Sequence, residues 1–262
     1  MNSGRGDSTS SFAFSTSAIR LNSVIRDGRH TRQTADRCSL ALHSVTLHRT
    51  HGRGAQVDEP NRIVASGYDR IAETYEAWMG RRASPNTAPM YYRRFLDKCL
   101  DLIPHGGLVL DLGCGAGRVA AEIGKRARVV GVDISIAQIR LARERVPTGA
   151  FLVADMAKLE FRSGSFDAIA AFYSVIHVRR DLHEGLLRSV HHWLRPGGVL
   201  FGAFGSGDNP DERGEFLGQP MYWSHFDAET TRGLLVGAGF SIVQADVVED
   251  QGEHPLWVVA TA

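Results

Sequence analysis

Aspartate and glycine residues follow an apolar run in the middle of the chain, where they could hold a charged ligand. Residues 108–119 read LVLDLGCGAGRV, in which Asp111 is followed by three glycines at alternate positions, Gly113, Gly115 and Gly117. The pattern predicts a buried strand, a turn that needs glycine, and a helix whose N-terminus faces the ligand. The dinucleotide fingerprint G-x-G-x-x-G needs glycine where Arg118 stands, so this turn does not match a nicotinamide site.

Two further acids close the next two predicted strands. Asp133 lies about 20 residues beyond the glycine turn, where a carboxylate can accept hydrogen bonds from two ribose hydroxyls. Nicotinamide enzymes share that spacing, so Asp133 indicates a nucleoside without choosing the cofactor. Asp155 and Met156 follow the third strand and suit an adenine, the carboxylate accepting from the amine and the thioether lying on the ring. A surface acid beside a core methionine is the alternative.

Strand and helix patterns that would position these residues alternate from residue 108 onward. Strands are predicted at 108–112, 128–132, 150–154, 166–172, 199–204, 240–248 and 254–260. Helices are predicted at 116–126, 135–145, 181–194 and 227–238, with a long loop at 205–224. Apolar strands separated by helices predict an α/β fold, with a mostly parallel, doubly wound sheet and helices on both faces.

Two helices are predicted before the first strand. From Arg62 onward, apolar and aromatic residues recur at three- and four-residue spacing through Trp78, which predicts an amphipathic helix with an aromatic stripe. Pro85 and Pro89 interrupt the chain, and a second helix follows at 91–103.

Five motifs, in order, resemble those of class I S-adenosylmethionine-dependent methyltransferases of the small-molecule type. They are YDRIAETY at 68–75, the glycine turn that begins at Asp111, the acids at 133 and 155, GSFD at 164–167 and LRPGG at 194–198. The resemblance covers residues 68–200, and the ordered set is more specific than any one motif. It implies a Rossmann-like sheet of seven strands, whose last strand runs antiparallel between its neighbours.

The resemblance also implies S-adenosylmethionine as cofactor and S-adenosylhomocysteine as product. Its cofactor residues would be Tyr68, Tyr75, Asp111, Gly113, Gly115, Asp133, Ile134, Asp155, Met156, Phe172 and Tyr173. The resemblance implies that the two tyrosines of the first helix cover the cofactor. No metal is predicted.

Methyl transfer needs alignment of the reacting atoms and, for some acceptors, a base. His177 follows the fourth strand, at the sheet edge where α/β proteins bind ligands, and is the first candidate base. A cofactor or pocket contact and a structural role stay open for it. His225 is the second candidate base.

The segment before the last predicted helix is unusually aromatic for a surface loop. Met221, Tyr222 and Trp223, with Trp78 of the first helix, are predicted to contact the acceptor, and residues 205–226 to form an aromatic substrate lid. Half of these side chains could equally be core beneath the lid. Phe226 and Asp227 resemble a hydrophobic staple and an N-cap for the helix that follows.

Composition sets the broad class of the protein. The 262 residues carry a net charge of +1 and are 43% hydrophobic, which suits one substantial domain and gives no sign of a nucleic-acid or membrane partner. Residues 1–56, rich in Ser, Thr and Arg, are predicted to be a disordered leader, with an organellar targeting segment or an over-long start as alternatives. Residues 57–262 are predicted to be the methyltransferase domain. Three cysteines without C-x-x-C spacing favour a reducing cytoplasm.

The sequence therefore predicts methyl transfer to oxygen or nitrogen, with carbon as a further option, of a small, partly apolar or aromatic acceptor, such as a secondary metabolite. A monomer or homodimer is expected. Three alternatives stay open: an enzyme that binds the same cofactor for a cyclisation or isomerisation, a cofactor-binding protein without catalysis, and a nicotinamide oxidoreductase.

Overall fold

The computed structural model describes residues 46–47, 58–82 and 90–262. The predicted leader lies outside these residues, apart from the short strand Thr46–Leu47, which pairs antiparallel with Leu159–Glu160. The predicted break at Pro85 and Pro89 also lies outside them. Within the described part of the chain, no helix is both long and apolar enough to cross a membrane.

Six helices and nine strands form the remaining structure in the described residues. The helices are α1 (Glu59–Arg82), α2 (Met90–Asp101), α3 (Arg118–Ile123), α4 (Ile136–Arg145), α5 (His183–Trp193) and α6 (Ala228–Gly237). The strands are β1 (Leu108–Leu112), β2 (Arg128–Asp133), β3 (Ala150–Val153), β4 (Phe166–Phe172), β5 (Leu194–Phe204), β6 (Asn209–Phe216), β7 (Gln219–His225), β8 (Ser241–Val247) and β9 (Leu256–Thr261).

Seven strands form one sheet in the order β8-β9-β5-β4-β1-β2-β3. The five strands from β5 to β3 in that order are parallel, whereas β9 runs antiparallel to both β5 and β8. This confirms the predicted Rossmann-like α/β fold with an antiparallel last strand inserted between its neighbours. The parallel order brings the carboxyl ends of β4, β1, β2 and β3 side by side at one edge.

Both faces of the sheet are covered by apolar packing. On one face, α5 and α6 bury large side chains against the strands, with Trp193 only 1% exposed. On the other face, α2, α3 and α4 do the same, with Phe95 packed on Trp257 at a ring-centroid distance of 5.0 Å. Burial on both faces explains why β1 reads as a continuous apolar run rather than an alternating one.

The predicted long loop at 205–224 is wrong, because this segment contains a β-hairpin. Strands β6 and β7 pair antiparallel and are joined at Leu217 and Gly218, whose φ angles are +50° and +79°. Two positive φ angles are what a two-residue hairpin turn requires. Every residue of β6 except its two ends is exposed, so the strand shows no alternation of buried and exposed side chains. Pro210 and Pro220 are also unfavourable in strands.

The hairpin packs on α1. Met221 and Tyr222 of β7 are 0% and 2% exposed and lie against Val64 and Ile71 of the helix. Gly67 allows this close approach, because a Cβ there would lie 2.7 Å from the Pro220 carbonyl oxygen. The hairpin and α1 therefore form one layer over the sheet edge.

Candidate active site

The turn between β1 and α3 has the backbone geometry that its glycines predicted. Gly113, Gly115 and Gly117 have φ angles of +70°, +50° and +78°. A Cβ at Gly113 would lie 2.1 Å from the Cβ of Ser174, and one at Gly117 would lie 3.1 Å from Ala142. Side chains at these positions would be strained, and one at Gly113 would also clash with Ser174.

Asp133 ends β2 beside this turn. Its two carboxylate oxygens accept the backbone N–H groups of Gly115 at 2.8 Å and of Ser135 at 2.9 Å. Burial raises the pKa of Asp133 to about 6, although these hydrogen bonds act in the opposite direction. Each oxygen keeps a lone pair, so the carboxylate can still accept from a diol.

Asp155 follows β3 and caps a short 3-10 turn. One oxygen accepts the Ala157 N–H at 3.0 Å, and the other accepts from the Asn61 amide at 2.7 Å and forms an ion pair with Lys158 at 3.0 Å. Asn61 belongs to α1, so the helix reaches over to the end of β3.

Helix α1 is attached by side chains at residues 61, 69 and 76 to the ends of three strands. Besides the Asn61 contact, Asp69 accepts a hydrogen bond of 2.6 Å from the hydroxyl of Ser135, which follows β2. Glu76 accepts a hydrogen bond of 2.9 Å from Arg118, which follows the glycine turn after β1, and also forms an ion pair with Arg145. The near-seven-residue spacing places these contacts on one side of the helix, which therefore lies across the sheet edge.

A cavity lies between α1 and the strand ends. Its described lining includes ten of the eleven predicted cofactor residues together with His177: Tyr68, Tyr75, Gly113, Gly115, Asp133, Ile134, Asp155, Met156, Phe172, Tyr173 and His177. The sequence reasoning missed six further lining residues, which are Asn61, Val64, Gln138, Ala154, Ser174 and Val178. Asn61 and Val64 lie on the same helical face as Tyr68, a signal that the periodicity of α1 contained.

Asp111 is the predicted cofactor residue that does not line the cavity. It is 2% exposed and lies in β1, paired in register with Gly131 and Ala170 of the flanking strands, so it lies inside the packed sheet. Burial, and then the charge of Asp133, raise its pKa to about 7. Its Oδ2 atom has no hydrogen-bond partner.

His177 is held by hydrogen bonds on both ring nitrogens. Its Nδ1 lies 2.7 Å from the carbonyl oxygen of Tyr222, and its Nε2 lies 3.0 Å from the hydroxyl of Tyr68. A carbonyl only accepts, so Nδ1 carries the proton and Nε2 accepts from Tyr68. Burial lowers the pKa of His177 to about 4, which keeps the imidazole neutral.

The other predicted base and the predicted acceptor contacts lie outside this lining. His225 Nδ1 donates at 2.8 Å to the carbonyl oxygen of Gly207, in the loop after β5. Trp223 is 6.1 Å from the His177 ring centroid, and Trp78 stacks on Tyr75 at 5.8 Å. Met221 and Tyr222 are the core beneath the hairpin. Their acceptor roles stay predictions that this packing does not favour.

Unsatisfied polar atoms in the cavity wall indicate a polar ligand. Gln138 is 1% exposed and neither atom of its amide has a hydrogen-bond partner. Ser174 is 7% exposed with an unpartnered hydroxyl, and it faces Gly113. Buried polar groups are costly without partners, so these residues fit a ligand with hydroxyl and amino groups, as S-adenosylmethionine has.

Residues 109–198 match a protein family described as "Methyltransferase domain". Among curated proteins, the chain is 30% identical over 174 residues to the mitochondrial arginine-hydroxylase NDUFAF5 of Danio rerio, covering 62% of this chain and 54% of that protein. It is 33% identical over 168 residues to phosphoethanolamine N-methyltransferase 1 of Triticum aestivum, covering 61% of this chain and 33% of that protein. The chain thus spans between a third and about half of these relatives.

Solved structures share the fold. The DhpI–SAH complex has a TM-score of 0.61 at 20% identity, covering 77% of this chain and 96% of the other. The [4+2]-cyclase SpnF has a TM-score of 0.56 at 21% identity, covering 71% of this chain and 75% of the other. S-adenosylmethionine is the cofactor of methyltransferases with this fold. The glycine turn and the unpartnered polar atoms of Gln138 and Ser174 fit it. Residues 109–198 are thus similar to a methyltransferase domain, and they lie in a fold that S-adenosylmethionine-dependent methyltransferases share.

Proposed function

We propose that this chain transfers a methyl group to an oxygen or nitrogen atom of a small molecule, carbon being a further option. S-adenosylmethionine supplies the methyl group on a positively charged sulfur. We place its adenine beside Asp155 and Met156, its ribose at Asp133 and its amino-acid end at the glycine turn. Tyr68, Tyr75 and Phe172 then enclose the reacting end and exclude water from it.

The hydrogen-bonded pair of Tyr68 and His177 carries this proposal. Burial raises the pKa of the Tyr68 hydroxyl, so it stays protonated and donates to His177 Nε2. Its oxygen lone pairs remain free to accept a proton from a bound acceptor. The Tyr222 carbonyl fixes the tautomer, so the basic nitrogen of the imidazole faces the cavity.

In this mechanism the acceptor gives its proton to the Tyr68 oxygen while Tyr68 gives its own to His177 Nε2. The proton thus ends on the imidazole, and the tyrosine is regenerated. A pKa of about 4 means that protonating His177 at pH 7 costs about 4 kcal/mol. His177 therefore holds the proton only transiently: once the product has left, the proton returns from Nε2 through the Tyr68 hydroxyl to water that enters the cavity.

The cavity lining supports one class of acceptor within this proposal. Among the described lining residues there is no Lys or Arg, while aromatic and apolar side chains are frequent. Phosphoethanolamine, named for the wheat relative, carries a phosphate that this lining offers no cation to hold. An uncharged or amine-bearing acceptor with an apolar part fits better.

The test uses the full chain with S-adenosylmethionine labelled with deuterium in the methyl group and a panel of amines, phenols and alcohols that includes phosphoethanolamine. A labelled methyl group on one acceptor supports the proposal. An acceptor that is consumed at unchanged mass would indicate a cyclisation or isomerisation, and one that gains oxygen a hydroxylation. Binding of S-adenosylhomocysteine with no acceptor converted would favour a binding protein.

Two variants test the roles of the pair. Tyr68→Phe and His177→Asn should lower turnover about a hundredfold, the typical contribution of proton transfer, while S-adenosylhomocysteine affinity stays within about threefold. Tyr91→Phe is the matched control, because Tyr91 bonds Gln244 away from the cavity and its loss should leave turnover unchanged. Wild-type turnover in both variants would exclude the relay.

A further inference from the structure

The loop that carries His177 runs beside strand β7 of the hairpin. His177 ends the 3-10 turn Val175–His177, which follows β4. Two hydrogen bonds join this loop to β7. His177 Nδ1 donates to the Tyr222 carbonyl oxygen at 2.7 Å, and the backbone N–H of Arg180 donates to the Ser224 hydroxyl oxygen at 3.0 Å. The contact that fixes the His177 tautomer is therefore one of a pair.

Ser224 joins three segments of the chain through one hydroxyl group. It lies in β7 and is 0% exposed. The hydroxyl donates to the Pro210 carbonyl oxygen of β6 at 2.7 Å and accepts from the Arg180 N–H of the loop. The side chain of Arg180 makes a separate ion pair with Asp208, so the Ser224 contact depends only on backbone groups of its partners.

A bulge in the hairpin explains why a hydroxyl is placed at this position. The register of β6 against β7 shifts between Asn209 and Glu212, so that two residues of β6 lie opposite Ser224 alone. A bulge leaves backbone groups outside the ladder, and such groups need other partners. A serine hydroxyl has one donor and two lone pairs, so it can serve the β6 carbonyl and the loop N–H together.

We propose that Ser224 is a positioning residue for His177: its hydroxyl holds the loop in place along β7, so that the Tyr222 carbonyl meets Nδ1 and leaves Nε2 to Tyr68. A neutral imidazole can carry its proton on either ring nitrogen. Only the form protonated on Nδ1 can accept from Tyr68 at Nε2. The inference rests on the proposed function, in which Nε2 receives the proton. Ser224 is not among the described residues that line the cavity, so it acts through His177.

Ser165 provides a matched control for Ser224. Its hydroxyl also donates to a backbone carbonyl at 2.7 Å, that of Arg162. Ser165 precedes β4, whereas His177 follows that strand, so the two lie towards opposite ends of it. Ser165→Ala and Ser224→Ala therefore remove the same group and a hydrogen bond of the same length.

The first experiment observes the tautomer and needs no acceptor. Proton–nitrogen NMR spectra are recorded of the full chain with isotopically labelled histidine, and the His177 signals are identified by their loss in His177→Asn. The unsubstituted chain and Ser165→Ala should show His177 protonated on Nδ1 alone. Ser224→Ala should show a mixture, with at least about a fifth of the molecules protonated on Nε2.

The second experiment measures turnover with the acceptor that the methyl-transfer panel identifies. Ser224→Ala should lower turnover about tenfold, with S-adenosylhomocysteine affinity within about threefold. Added to His177→Asn, it should lower turnover by less than about twofold further, because the group that it positions is gone. Ser165→Ala should leave turnover within about twofold in both backgrounds.

The other outcomes separate two claims. A His177 protonated on Nδ1 alone in Ser224→Ala, or an undiminished turnover loss in the His177→Asn background, would refute the positioning role. A His177 protonated on Nε2 in the unsubstituted chain would instead contradict the relay of the proposed function. Thermal unfolding checks each variant, and Ser224→Cys, with its weaker donor, replaces Ser224→Ala if the alanine variant does not fold.

Discussion

Asp111→Asn should make the stability of the ligand-free protein less dependent on pH. The carboxyl group of Asp111 is buried within the packed sheet, and its pKa is raised from 3.8 to about 7 by burial and then by the charge of Asp133. The folded state therefore binds this proton more tightly than the unfolded chain does. Stability from this group is complete below about pH 4 and is lost as the pH rises towards 7.

The size of the effect follows from that shift. A difference of about three pKa units corresponds to about 4 kcal/mol at 1.36 kcal/mol per unit. Asparagine resembles the protonated acid and does not ionise. The free energy of unfolding of Asp111→Asn, minus that of the unsubstituted chain, should therefore grow by about 3 to 4 kcal/mol between pH 4 and pH 8.

The assay is urea unfolding of both full-length proteins at several pH values, without ligand. Taking the difference between the two proteins cancels the titration of the shared groups that do not interact with Asp111. Asp97→Asn, an exposed change in α2 with the side chain 51% accessible, is the control and should shift stability by less than about 1 kcal/mol at any pH. A difference for Asp111→Asn that stays constant within about 1 kcal/mol would refute this reasoning about its burial.

Three further changes have expected outcomes. Gly113→Ala places a side chain at a φ of +70° and sets its Cβ against that of Ser174, so the free energy of unfolding in urea should fall by about 2 to 4 kcal/mol. Gly185→Ala, in open space within α5, is the control and should raise it by up to about 1 kcal/mol. Glu76→Gln loosens the α1 attachment to Arg118 and should weaken S-adenosylhomocysteine about three- to tenfold by calorimetry, with saturated turnover within about twofold; reduced turnover at unchanged affinity would contradict this. In the folded state the pKa of His177 is lowered from 6.5 to about 4, so the unfolded chain binds this proton more tightly. Acidification from pH 6.5 to 4 should therefore lower the free energy of unfolding by up to about 3 kcal/mol, and His177→Asn should abolish this decrease.

The parallel part of the fold could be predicted because its signals are local and strong. The apolar run of β1 and the glycines after it allow few alternatives, and parallel order then brings Asp133 and Asp155 to the same edge. The position of the cofactor-binding residues therefore follows from this strand order. That is why nearly all predicted cofactor residues line one cavity.

The parts that escaped prediction depend on tertiary contacts. Strand β6 is exposed on both sides and has no hydrophobic period, so only its pairing with β7 makes it a strand. The aromatic residues of β7 indicated a lid, but Met221 and Tyr222 point into the packing with α1. Their burial depends on the docking of β7 against α1, which the sequence of β7 does not encode locally.

His177 illustrates the same limit at the level of chemistry. Its place after β4 was predictable, but its partners come from α1 and β7, far away in sequence. Likewise, Asp111 belongs to the glycine motif, yet it is buried within the packed sheet and does not line the cavity. A motif identifies the residue types at a site, whereas packing decides which atoms face the ligand.

Transfer of the labelled methyl group tests the central claim most directly. With deuterium-methyl S-adenosylmethionine and the acceptor that the panel identifies, the account predicts one labelled methyl on the product for each S-adenosylhomocysteine formed, and a parallel loss of both in Tyr68→Phe. Conversion of the acceptor without S-adenosylhomocysteine formation, or without the label in the product, would contradict it.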